Sequence, residues 1–186
     1  KAAAELLTTS IMADSLGLTV EAVSARSIRV VADLVEQGVS IAALEAKRRE
    51  SIAKPLNIIE YKGRLLQRIE YYVDNQLAVV TIPWDEIQTY SPFYNPAVLV
   101  LEELRFAEGV KLSVVLKTYP DGKITGKLRA SHDMPVAGAL AEHFEGGGHP
   151  SAAGFKTKAW QFDTLKTELI KEATTLLSRK QAVKET

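Results

Sequence analysis

The 186 residues predict an α+β fold, a mixed five-stranded sheet flanked by helices and preceded by an all-helical stretch. Three observations carry that reading. Apolar residues recur at helical spacing up to about residue 53, short β-like runs take over from Leu65, and helical segments return between those runs. Two turn signals, Asp74-Asn75-Gln76 and Pro120-Asp121-Gly122, join neighbouring runs into hairpins.

From Lys1 to about Met12, Ala4, Leu6, Leu7 and Ile11 form one helical stripe, and Gly17 breaks the run after Asp14-Ser15. Thr19 or Ser24 caps a second helix, whose apolar face is Ile28, Val31, Ala32, Leu34 and Val35 and which Gly38 ends. A third runs from Ile41 to about Ala53. Lys54-Pro55 stops it, because proline lacks an amide donor and disfavours helix in the residue before it. Leu65–Val73 and Leu77–Ile82 then read as one hairpin, Pro83-Trp84 as the start of a short helix, and Pro96–Phe106 as a stronger helix closed by Gly109. Strands Val110–Tyr119 and Lys123–Ala130 follow, then helix Pro135–Phe144, strand Ala152–Thr157 and a last amphipathic helix from about Gln161 to Leu177. The polar tail Ser178–Thr186 is expected to fray. The organisation is therefore a helical region 1–53, a hinge 54–63 and an α+β domain 64–186. The first region is too short to bury a core of its own.

Lys+Arg 23 offsets Asp+Glu 23, so no global positive field holds nucleic acid, and an anion has to be gripped locally. The absence of cysteine excludes disulfides, thiolate zinc sites and cysteine nucleophiles, and agrees with a reducing, cytoplasmic setting. No apolar run approaches the ~18–20 residues that cross a bilayer. The opening Lys1-Ala2-Ala3-Ala4-Glu5 lacks a starting Met and reads as a chain entered partway through a helix.

One stretch asks for an explanation beyond packing. Gly146, Gly147 and Gly148 follow a helix directly and place bare backbone where side chains would otherwise pack, at a cost in conformational entropy. Successive amides without Cβ atoms can converge on an anion, and His149 adds a ring donor beside them. Ala152-Ala153-Gly154 suggests close backbone approach beneath this run. Arg129, at the end of a strand, presents a planar fork suited to phosphate. Taken singly, each residue also fits a loop or a solvated surface. His132 and His143 read as surface or helix-face residues, and Trp84 and Trp160 as core-packing residues at helix starts.

Lys127-Leu128-Arg129, a helix, and Gly-Gly-Gly-His-Pro-Ser-Ala-Ala-Gly at 146–154 closely resemble the C-terminal DHHA1 domain of the DHH phosphoesterase superfamily. By pattern the resemblance is to the nano-RNase and pAp-phosphatase subgroup, over about residues 64–158. It implies a DHHA1-like sheet preceded by the tail of a DHH lobe. In that family the DHH lobe carries two divalent metals, manganese being expected, and the DHHA1 lobe recognises phosphate and base. Leu6 to Ser15 resembles the last stretch of the DHH lobe, which places Asp14 at a metal-ligand position that works only together with the rest of that lobe. Two departures stand near the motif: Glu145 where many relatives have a fourth glycine, and Ala130 where many have serine.

The resemblance implies the C-terminal, substrate-binding part of a metal-dependent phosphoesterase acting on short oligonucleotides or nucleotide phosphates. Such a part would lack catalytic residues and metals of its own and be inactive alone. Its phosphate-binding residues would be Arg129, Gly146, Gly147, Gly148 and His149. The alternative is a non-catalytic nucleotide- or RNA-binding module. Unpaired apolar helix faces in the first region also leave a homodimer open, and no membrane partner is expected.

Overall fold

A computed structural model of the chain describes residues 1–184, with side chains described to Arg179. The chain divides between Lys54 and Pro55 into two compact units.

The first unit is three helices, α1 (Ala2–Asp14), α2 (Ala25–Glu36) and α3 (Ile41–Ser51). Ser24, not Thr19, caps α2. Its hydroxyl accepts from the Ser27 amide at 3.2 Å, and the Ser27 hydroxyl accepts from the Ser24 amide at 3.3 Å. Ser40 caps α3 one way only, its hydroxyl accepting from the Ala43 amide at 3.2 Å. Val31, Leu34 and Val39 are buried in this unit, whereas Leu6, Leu7 and Ile28 stay exposed.

The second unit opens with helix α4 (Leu56–Gln67), so the first turns of a helix occupy most of the stretch expected as a hinge. This also corrects the strand expected at Leu65–Val73. Leu65 continues the helical stripe of Ile58 and Tyr61, all three fully buried, and only Glu70–Tyr72 remain as strand β1. The other elements are β2 (Leu77–Ile82), α5 (Trp84–Tyr90), α6 (Pro96–Leu104), β3 (Leu112–Thr118), β4 (Ile124–Ala130), α7 (Ala137–His143), β5 (Gly147–His149), β6 (Ala152–Thr157) and α8 (Phe162–Lys184). Helix α8 runs past Leu177 through most of the tail expected to fray, and residues 185–186 lie outside the described residues.

The sheet has six strands in the order β1-β2-β3-β4-β6-β5, one more than expected because the glycine run itself pairs as β5. It is mixed. β2 and β3 are parallel, joined by a crossover through α5 and α6, and every other pair is antiparallel.

Alternation sorts the side chains onto two faces. On one face Leu77, Leu112, Leu116, Leu128 and Phe155 meet α7 and α8 through Leu140, Phe144, Leu165 and Leu169. Burial of side chains of this size contributes roughly 1.5–3 kcal/mol each. On the other face Ala78, Val80, Ile82 and Val115 meet Ile58, Tyr61, Leu99 and Val100 from α4 and α6. Glu86 on α5 pins α4 in place: it accepts from both terminal nitrogens of Arg68, at 2.8 and 2.6 Å, and from the Tyr61 hydroxyl at 2.8 Å. That second layer draws on no residue of β4, β5 or β6, among the described residues.

Candidate functional site

The part of the sheet outside the α4–α6 layer brings the predicted residues together. Register puts Ser113, Arg129, Ala152 and His149 in one row across β3, β4, β6 and β5. The next row on the same face, about 7 Å along the strands, is Val115, Lys127, Gly154 and Gly147. A third holds Lys117, Thr125 and Lys156. Between the cations stand Ala152, Gly154 and Gly147, none carrying more than a methyl group to bar a ligand.

Arg129 is half-buried, and one guanidinium nitrogen donates to the Leu128 carbonyl at 2.9 Å. That bond holds the fork close to its own strand and leaves further N–H donors for a ligand. His149 is exposed. Its Nδ1 lies 2.8 Å from the Ser151 hydroxyl and accepts from the Ser151 amide at 3.3 Å. An amide N–H aimed at Nδ1 needs a lone pair there, so the neutral ring carries its proton on Nε2 and can donate from that atom. Ser151 is thus a positioning residue that sequence reasoning passed over, although the His-Pro-Ser spacing carries the signal.

The three glycines separate in role. The Gly146 amide donates to the Ala141 carbonyl at 2.9 Å and closes α7, so it is spent inside the protein. A Cβ at Gly146 would stand 2.3 Å from the Gly154 carbonyl oxygen, and packing alone requires glycine there. Gly148 has φ +140°, and a Cβ on it would stand 2.7 Å from Ala153 Cα. Gly147 meets nothing within 4 Å and faces the open side. The converging amides expected from sequence therefore take the form of a strand edge. β5 pairs with β6 on one side only, and amides alternate along an edge, so at least one of the three in Gly147–His149 turns outward.

Lys117 was not singled out by its sequence, since a lysine ending an apolar strand reads as a surface charge. It is buried, and its ammonium donates to Asn95 Oδ1 at 3.0 Å. Burial, with the like charge of Lys127 added, pulls its pKa below the usual lysine range.

Asp14 is the last residue of α1 and is exposed. Among the described residues no group of three or more His, Cys, Asp or Glu side chains could hold a metal ion. These residues therefore do not by themselves fit a two-metal centre. His143 lies 3.5 Å from Glu168 on α8 and His132 is exposed, so neither joins the row. Trp160 packs edge-on to Phe144 at 5.8 Å, and Trp84 opens α5. No helix among the described residues is long and apolar enough to cross a membrane.

Residues 96–178 match the DHHA1 domain family. Among solved structures, an exopolyphosphatase-related protein from Bacteroides fragilis is 20% identical, with a TM-score of 0.71 over 94% of this chain and 51% of its own. The pGpG-specific phosphodiesterase PggH from Vibrio cholerae is 15% identical, with a TM-score of 0.52 over 78% of this chain and 50% of its own. At these identities the two show a shared fold. The chain spans about half the length of these solved relatives. No curated protein matches it by sequence. The matched span runs from the start of α6 into α8 and contains Arg129, the glycine run and His149, so this part of the chain is similar to DHHA1 domains.

Proposed function

We propose that this chain is the C-terminal, substrate-binding part of a phosphoesterase acting on short oligonucleotides or nucleotide phosphates. The observation that carries the reading is the single row in which Arg129 and His149 flank Ala152 on an uncovered sheet face. Arg129 clamps a phosphoryl group bidentately, the Nε2–H of His149 donates to the same group, and an outward amide of β5 completes the cradle. The small floor lets the phosphate descend to hydrogen-bond distance of the backbone. Binding energy gathered here orients the ester for attack.

Divalent metals, manganese by resemblance, belong to the complete enzyme. Asp14 contributes one carboxylate to that centre, and the other ligands come from outside the residues described. Residues 1–186 alone bind nucleotide and hydrolyse nothing. Thermal shift with a panel of short nucleotides tests the pocket: ligand-induced stabilisation is expected in the native protein and lost in both Arg129→Ala and His149→Ala. Unchanged shifts in the two variants place binding elsewhere. Manganese-dependent turnover by the purified chain, retained through contaminant controls, overturns the assignment of a binding role alone.

A further inference from the structure

A group of cations on the same open face is not used by the Arg129–His149 row. Lys117 reaches Asn95, the N-cap residue of α6, and is only 9% exposed. Its ammonium bonds Asn95 Oδ1, an oxygen that also accepts from the Ala97 amide at 3.2 Å. A buried ammonium ordinarily has a carboxylate beside it. Lys117 has a neutral amide instead, and the charge acting on it is a second cation, Lys127. Lys117, Lys127 and Lys156 line one open concavity of about 540 Å³, floored by Gly126 and Gly154. Glu145 is the one acid on its lining, and it forms no ion pair with these lysines among the described residues.

Three cations against one acid, with the most buried cation lacking a counter-charge among the described residues, make a concavity complementary to an anion. We propose that Lys117, Lys127 and Lys156 form a second anion subsite, taking another phosphoryl group of the ligand held at Arg129 and His149. This inference rests on the proposed function for its first phosphate. Lys127 lies two residues from Arg129 on one strand, a separation of about 7 Å, and Lys117 and Lys156 lie one row further. A nucleotide with two phosphoryl groups, one nucleoside apart, spans these rows, whereas a monophosphate occupies only the first.

Titration calorimetry with the dinucleotide pApA and with adenosine monophosphate tests the subsite. Lys117→Met and Lys127→Gln are each expected to weaken pApA about tenfold and to leave adenosine monophosphate within about twofold. Lys117→Met should melt at or above the native temperature, since an unpaired buried charge is removed. Lys127 is exposed, so its variant tests the subsite even where Lys117→Met fails to fold. Equal weakening of both ligands, or unchanged pApA affinity, overturns the second subsite. Adenosine monophosphate affinity that survives Arg129→Ala overturns the first row instead, and the lysine variants still report on the second. Native protein that binds pApA no more tightly than the monophosphate overturns the second subsite outright.

Discussion

Two halves of one sheet face meet opposite fates. Over β2 and the middle of β3 the side chains are Ala78, Val80, Ile82 and Val115, and helices α4 and α6 close upon them. Over β4, β6 and β5 the same face carries Lys127, Arg129, Lys156 and His149 among alanine and glycine, outside the α4–α6 layer. Apolar side chains draw a covering layer because burial releases ordered water. Cations standing on small residues cannot be covered by an apolar helix without losing hydration. The covered part ends in the middle of β3, and the cationic part begins with Lys117 at the end of that strand.

The difference should be open to double dissociation. The largest effect is expected on the covered half. Tyr61 is fully buried, stacked on Tyr90 at a centroid separation of 3.7 Å, and bonded to Glu86. Tyr61→Ala should cost about 3–5 kcal/mol in chemical denaturation, with nucleotide affinity unchanged at temperatures where the variant remains folded. A smaller loss of stability, or a selective loss of ligand, would erase the distinction between the halves.

Within the glycine run, Gly148→Ala forces a side chain into backbone 2.7 Å away at positive φ and should destabilise by about 2–3 kcal/mol. Gly147→Ala has open space and should stay within about 1 kcal/mol of the native protein while weakening nucleotide binding. Denaturant melts paired with calorimetry separate the two. On the open half, Arg129→Ala should weaken adenosine monophosphate about tenfold and shift the melting temperature little, because among the described residues its guanidinium bonds only its neighbour's carbonyl.

The smallest effect is electrostatic and belongs to the covered half. Burial pushes the Glu86 carboxyl up, but the bonds from Arg68 and Tyr61 outweigh it and hold the group below the usual carboxylate range. A folded pKa below the unfolded one means the contribution is present at neutral pH and is lost as pH falls through the folded value. Stability measured from neutral into acid should therefore fall less steeply in Glu86→Gln than in the native protein. Equal slopes would remove Glu86 from the acid response.

Much of this was legible along the chain. Ser24 and Ser40 announce their helices by local chemistry, Pro120-Asp121-Gly122 announces its hairpin, and the alternation of Lys127, Leu128 and Arg129 fixes which cations share a face. An apolar run fits a buried strand and a buried helix alike, and only the packing of Leu65 with Ile58 and Tyr61 in one core decides for helix. Lys117 was missed because burial of a lysine depends on what lies above it.

The sequence by itself determined the α+β class, the turn positions, the Arg129 and His149 pair of candidates, and the glycine run as a place where backbone comes close. Those follow from interactions spanning a few residues. Only the tertiary structure decided that Gly146 and Gly148 serve packing while Gly147 faces outward, and that Lys117 sits buried in one concavity with Lys127. Each of these depends on which strand lies next to which, and strand order is set by long-range pairing that local pattern does not encode.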